Sequence, residues 1–488
     1  MILDGLGVVL LAFSVAFLAP IWAGVWYHEV AGKLFMAYGI PIVICLVLGL
    51  LFRYYFHEQF EQVRTGEALV LVSLGWLVIA AIGAIPFLAL GVLKSPIDAF
   101  FESMSGFTTT GATVIVGLEW LPKSILMWRA TIQWVGGMGI IVLSVAVLSR
   151  FLGGRMKPLM MQAEMPGHQV ARMAPRLAQT ARLLWAIYIL FTVTGIAALA
   201  IVGHYSSPRM GLFDAMCHVM TALPTGGFSS YDASVGHWNS PAIEFVLIVI
   251  MLLGGTNFVL HYKALGGDWR AFLRDPEFRF FMLVIAFGVV FITGDLAVRN
   301  VYTLGESFRY SSFHVVSVIT TTGFASDNFN LWPVSSQLML LLLMLVGSMM
   351  GSTGGGLKIA RTLIILKSIR VMLLKSIHTR GVFYVKIGNV KLSDEQVSHT
   401  TTYVMSYLLI IGGAALLVTM TGADLVTSIS ATVSCMGNVG PGLAIVGPAT
   451  TYATLTGAAK LVLSLLMWIG RLEILGCLLL FTPSSWKE

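Results

Sequence analysis

Four times, inside otherwise apolar sequence, a Ser or Thr stands six residues ahead of a Gly. Ser105 to Gly111 reads SGFTTTG, Thr221 to Gly227 reads TALPTGG, Ser317 to Gly323 reads SVITTTG, and Ser434 to Gly440 reads SCMGNVG. The four glycines lie 116, 96 and 117 residues apart, a period of about a hundred. A repeat on this scale sets the architecture before any single residue is interpreted.

The setting of the repeats fixes the class. The 488 residues are 57% hydrophobic and 11% charged, against roughly 25% charged in soluble globular domains. Apolar runs long enough to cross a bilayer core of about 30 Å recur along the whole length, which a signal peptide or one anchor does not explain. The first run lacks a basic leader and a small-residue cleavage site, so it reads as a retained span. The cysteines, Cys45, Cys217, Cys435 and Cys477, sit singly among apolar residues and read as buried thiols.

The net charge of +7 implies no nucleic acid, because its distribution follows membrane topology. Arg150 to Arg182, Lys263 to Arg279 and Lys358 to Lys391 together hold 18 of the 30 Lys and Arg residues, which marks these segments as cytoplasmic. Around the four glycines only Lys94, Lys123, Arg209, Arg299 and Arg309 occur, so the glycine loops are expected to face outside. Both termini are then cytoplasmic.

The expected fold is an all-α polytopic membrane protein. Residues 1–65 hold two N-terminal spans, near 5–27 and 36–55. The first repeat, 66–150, has a span at 67–92, a short helix at 97–107, a loop, and a returning span at 124–149. Residues 151–270 comprise a basic linker and the second repeat, with spans at 183–203 and 241–262 around a short helix at 212–223. Residues 271–391 hold spans at 278–298 and 335–370 around a helix at 305–319, and residues 392–488 hold spans at 401–421 and 455–481 around 424–435. The short helices cannot cross. Each reads as a half-helix that enters the membrane and returns as a loop, and all four units run in parallel, unlike the inverted repeats of many carriers.

Irregular backbone at membrane depth is tolerated where it lines a water-filled cavity or is buried in protein. Four such loops around one axis make a ring. Glycine allows the left-handed turns that aim successive carbonyls inward, and those oxygens can replace the hydration shell of a monovalent cation. The threonines at 108–110 and 320–322 add hydroxyls as ligands or supports. Each short helix presents its partially negative C-terminus to the cavity.

These motifs, TTTG at 108–111, PTGGF at 224–228, TTTGF at 320–324 and GNVGPG at 437–442, resemble the Trk/Ktr/HKT superfamily of potassium transporters, most closely its Trk-type membrane subunit. The resemblance covers nearly the whole chain. It implies a filter built from Thr109, Thr110, Gly111, Thr225, Gly226, Gly227, Thr321, Thr322, Gly323, Asn438, Val439 and Gly440. K+ would bind at Thr110, Gly111, Gly226, Gly227, Thr322, Gly323, Val439 and Gly440, with Rb+ or Na+ as possible competitors. In this superfamily a serine in place of the first-loop glycine goes with sodium transport, so Gly111 implies potassium. The fourth loop has Asn438 and Val439 where two threonines stand elsewhere, which rules out fourfold chemical symmetry.

Gly347 to Gly356, GSMMGSTGGG, places five glycines in ten residues of an expected span. At about 1 kcal/mol per interior glycine relative to alanine, that helix should be broken. It is no phosphate-binding loop, since Leu357 separates Gly356 from Lys358 and no strand precedes it. The resemblance implies instead an intramembrane gating loop, with Gly347, Gly351, Gly354, Gly355, Gly356 and Lys358. Arg471, in WIGRLEILG, is a costly charge in an apolar span, and the resemblance places it in the permeation path. Glu473, two residues on, lies on a different helical face.

The resemblance further implies inner-membrane location, a homodimer, and a cytosolic regulatory ring of the Trk A type binding NAD(H) or ATP. No organic cofactor or nucleotide site is expected in this chain. Two other classes are weighed. A proton- or sodium-coupled symporter needs a titratable mid-membrane group, and no clear carboxylate is evident. A membrane redox enzyme needs paired ligands, and His204, His218, His261 and His314 show no ligand-like spacing. The acids Glu102, Asp214, Glu306 and Asp424 fit either cation attraction or helix capping.

Overall fold

A computed structural model describes residues 2–56, 65–153, 174–378, 381–388, 390–474 and 477. The basic linker between 154 and 173, Arg64, and the far end of the last expected span lie outside these residues.

The two N-terminal spans are α1 (Leu3–Trp26) and α2 (Ala31–Phe56). Repeat 1 follows with α3 (Val70–Ala89), the short α4 (Pro96–Phe107) and α5 (Lys123–Gly153). Repeat 2 has α6 (Ala174–His204), α7 (Leu212–Ala222), α8 (Pro241–Gly255) and α9 (Phe258–Leu265). In repeat 3, α10 (Pro276–Val298) and α11 (Leu304–Ile319) lead to α12 (Val334–Val346) and α13 (Ile359–Ile377). A two-stranded hairpin, Lys386–Ile387 with Val390–Lys391, precedes repeat 4: α14 (Asp394–Met420), α15 (Leu425–Gly437) and α16 (Gly457–Leu472).

The short helices begin where the sequence supplies caps. The Ser95 hydroxyl accepts from Asp98 N ahead of α4, with Pro96 in the first turn. Thr303 and Glu306 form a reciprocal capping box at α11, and Asp424 accepts from Thr427 N at α15. Each short helix packs on the second span of the repeat before it: α7 on α5, α11 on α8, α15 on α12, and α4 on α16. The last pairing closes the circle. The N-terminal pair sits outside it against repeat 1, where Phe17 stacks on Trp128 at 4.4 Å and Glu29 accepts from Ser124 N and Oγ.

Two second spans are broken, the one in repeat 2 against expectation and the one in repeat 3 as expected. The span expected at 241–262 is broken, with α8 and α9 meeting at 104°. Gly254 and Gly255 end α8, Thr256 is extended, and the Asn257 side chain caps α9 by accepting from Val259 N. The expected break in repeat 3 is the segment 347–358 between α12 and α13, with left-handed Gly347, Gly351, Gly356 and Lys358. The two breaks satisfy each other. Met349 N donates to Gly255 O, Thr353 N to Gly254 O, and Phe258 N to Gly351 O, at 3.0 to 3.1 Å. Helix α16 is interrupted at Glu473, which adopts φ 63°, and the backbone is helical again at Ile474 and Cys477.

Replacing Asn257 with Ala removes the cap of α9 and should cost about 1 kcal/mol. Thermal unfolding of the purified protein in detergent should then show a lower midpoint. An unchanged midpoint would mean that the loop contacts alone hold the bend.

Candidate functional site: a ring of four loops

Each loop starts from one backbone hydrogen-bond pattern. The residue before the key glycine donates its N–H to the carbonyl of the recurrent Ser or Thr: Thr110 to Ser105, Gly226 to Thr221, Thr322 to Ser317 and Val439 to Ser434, at 2.8 to 2.9 Å. The shared offset is thus a backbone feature, since the four hydroxyls do different things. Ser317 Oγ donates to Phe324 O and Thr221 Oγ1 to Cys217 O, whereas Ser105 and Ser434 Oγ have no partner among the described residues.

Two left-handed residues per loop follow from this pattern. Thr109, Thr225, Thr321 and Asn438 have φ between 50° and 60°, and Gly111, Gly227, Gly323 and Gly440 have φ between 75° and 104°. A non-glycine residue held there costs of order 1–3 kcal/mol, and such strain concentrates at functional sites. Alternating handedness turns successive carbonyls toward one side.

The glycines then close the ring. A Cβ added to Gly111 would overlap Gly226 O, one on Gly227 would overlap Thr322 O, and one on Gly323 would overlap Val439 O. One on Gly440 would lie 2.7 Å from Thr110 O. Each key glycine therefore faces the carbonyl of the residue just before the next loop's glycine, in the cyclic order 1, 2, 3, 4. No side chain fits between neighbouring loops.

Behind the ring, the residue nine before each key glycine ties the short helix to the outgoing chain. Glu102 accepts from Val114 N at 2.9 Å and from Thr113 Oγ1, and pairs with Arg129 at 3.0 Å. His218 bridges Asp214 O and Ser229 Oγ, and His314 bridges Tyr310 O and Asp327 O. Repeat 4 has Ala431 at this place, and the neighbouring Ser430 Oγ accepts from Leu443 N instead. The acids that fitted two roles from sequence are all engaged locally: Glu102 in this tie, Asp214 with Ser230, Glu306 and Asp424 as caps. Among the described residues the buried carboxylates are Asp4, Glu102, Asp214, Glu244 and Glu277.

Threonine hydroxyls brace two of the loops. Thr108 Oγ1 bonds Met104 O and lies 2.8 Å from Thr110 Oγ1, and Thr320 repeats this with Val316 O and, at 2.9 Å, Thr322 Oγ1. The asymmetric fourth loop uses Asn438, whose Nδ2 donates to Thr110 Oγ1 and to Met467 O. Thr109 Oγ1 and Asn438 Oδ1 are buried without a hydrogen-bond partner among the described residues, an arrangement that suits a cation or water.

The broken segment of repeat 3 lies directly beneath this ring. Gly355 N donates to Thr321 Oγ1, Thr353 Oγ1 to Leu223 O, and a Cβ on Gly355 would meet Gly437 O and Asn438. Lys358 Nζ folds back onto Gly354 O. From α10, the Glu277 carboxylate accepts Met350 N at 2.8 Å. Arg471 is buried. Its Nη1 donates to Thr353 O at 2.6 Å and its Nη2 to Gly136 O at 3.3 Å, which ties the segment to repeat 1. Glu473 pairs with Arg361 rather than with Arg471. Of the sequence-derived set, Gly347, Gly351, Gly356 and Lys358 shape the segment, and Gly354 and Gly355 give it room against Thr320 O and Gly437 O.

Sequence reasoning passed over Gln133, Asn257 and Glu277. It also passed over Gly136, Gly254 and Gly470, each of which lets a second span approach the carbonyl four residues before a key loop glycine, at Phe107, Leu223 and Met436. Their positions 25, 27 and 30 residues after Gly111, Gly227 and Gly440 were the available signal.

Four half-helix-and-loop units closed around one axis, with a broken span beneath them, define a single-chain, four-repeat pore-type membrane protein. The TrkH model, described as a cation transport protein, matches residues 35–488, and the chain belongs to that family. It is 37% identical to the Trk system potassium uptake protein TrkH of Salmonella typhimurium, over 99% of this chain and 98% of that one. To the protein of the same name from Escherichia coli K12 it is 36% identical, with the same coverage. The crystal structure of the potassium transporter TrkH from Vibrio parahaemolyticus aligns with a TM-score of 0.89, at 34% identity over 99% of both chains.

The Glu102–Arg129 pair yields a stability prediction. Glu102→Ala leaves Arg129 buried and uncompensated and should cost about 3–5 kcal/mol. Replacing both with apolar residues of similar size should cost less, measured as thermal midpoint and as yield of monodisperse protein.

Proposed function

We propose that this protein takes up potassium across the cytoplasmic membrane through a single-chain, channel-like pore. The observation that carries the reading is the closed ring of glycines and carbonyls, since four backbone segments in one cyclic contact offer oxygens around a common axis. Relatives named potassium uptake proteins support K+ as the cargo. The filter is assigned to residues 109–111, 225–227, 321–323 and 438–440.

The segment 347–358 acts as the gate, and Arg471, on α16 of repeat 4, holds it shut while placing positive charge under the filter. Opening requires the segment to break its bonds to Arg471 through Thr353 O, to Gly255 O through Met349 N and to Thr321 Oγ1 through Gly355 N. The clusters of Lys and Arg suit a cytoplasmic face, with filter loops outside, both termini inside, and a cytosolic nucleotide-binding partner acting on α13 and the hairpin. A homodimer completes the reading, although one chain closes the ring.

Cation flux into vesicles of purified protein tests both assignments. Gly323→Ser places a Cβ against Val439 O and should lower K+ over Na+ selectivity at least tenfold. Unaltered selectivity would remove Gly323 from the filter. Arg471→Ala should speed K+ flux several-fold, and an unchanged or slower flux would count against its restraining role.

A further inference from the structure

The second loop lacks the brace found in the first and third. Where those have Thr108 and Thr110, or Thr320 and Thr322, it has Pro224 and Gly226. Its support comes from another repeat. Gln133, on α5 of repeat 1, is fully buried, and its Nε2 donates to Gly226 O at 2.7 Å while its Oε1 accepts from Phe228 N at 3.0 Å. A Cβ on Gly226 would overlap the Gln133 carboxamide. The amide thus occupies the place a side chain would take at Gly226, where the first and third loops carry Thr110 and Thr322. Backbone conformation does not require glycine here, because Gly226 lies outside the left-handed region. Gly226 is a glycine to admit Gln133.

Gly226 O is the oxygen that faces Gly111 in the ring. Discrimination against a smaller cation requires that ring oxygens resist collapsing onto it, whether through cavity size or through the field of a restrained carbonyl set. A donor fixed behind the carbonyl opposes that collapse and leaves its second lone pair free. We propose that Gln133 is a specificity-determining positioning residue, which supplies in trans the brace that Thr110 and Thr322 receive within their own loops. The proposal rests on the filter assignment made above.

Flux ratios for K+ and Na+, measured in vesicles of the full chain, test it with four variants. Gln133→Met keeps the volume and loses both hydrogen bonds, and Gly226→Thr alone places a side chain against Gln133. Gln133→Ala/Gly226→Thr replaces the borrowed brace with a local one, and Gly227→Ser reports on the filter itself. Gln133→Met should lower the K+ over Na+ ratio about fivefold, the equivalent of one hydrogen bond of about 1 kcal/mol. Gly226→Thr should be impaired, and the double variant should recover the wild-type ratio. A wild-type ratio in Gln133→Met, with Gly227→Ser altered, overturns the proposal and leaves the filter reading standing. A wild-type ratio in Gly227→Ser removes the second loop from the filter and the proposal with it. Should Gln133→Met fail to accumulate, the double variant decides: recovery supports the proposal, and persistent sodium leak overturns it.

Discussion

Backbone that leaves a helix at membrane depth finds no water, and each unpaired amide there costs several kcal/mol. Among the described residues the helices break at the four glycine loops and in two second spans, and the breaks in the second spans complete one another. Gly254 and Gly255 in repeat 2 accept from Thr353 and Met349 in repeat 3, and Phe258 N returns a bond to Gly351. The segment between α12 and α13 is therefore a shared element. Moving it exposes donors and acceptors on both repeats at once, which makes a two-position switch more natural than a continuous deformation.

The same economy governs the ring. Glycine is needed at 111, 227, 323 and 440 for two independent reasons, a left-handed φ and a neighbouring carbonyl where a side chain would stand. Substitution at any of them strains its own loop and displaces the next. The side chains around the ring are free to differ because the common pattern lies in the backbone. Two loops are braced by threonine pairs, one by Asn438, and one by Gln133 from outside. Likewise a glutamate, two histidines and a serine perform one tying role behind four short helices.

Much of this was legible in the sequence. The Ser/Thr-to-Gly offset located all four loops, and five glycines between 347 and 356 announced a broken span. The bend at Thr256 was not legible, since Pro241 to Leu265 satisfies every criterion for one apolar span, and only Gly254–Gly255 hints otherwise. Gln133 was hidden for a related reason. Its meaning depends on a loop 93 residues away, and no local pattern distinguishes it from any buried polar residue. Helix α16 is interrupted at Glu473 by a left-handed turn that its own sequence neighbourhood does not demand.

The central claim is that four backbone segments of one chain form a single cation site on one axis. Crystals grown in Rb+ or Tl+ would test it most directly through anomalous difference density. The account predicts peaks on the axis, bounded by the carbonyl oxygens of Thr110, Gly226, Thr322 and Val439. Anomalous density confined to other parts of the molecule, with none inside the ring, would contradict it.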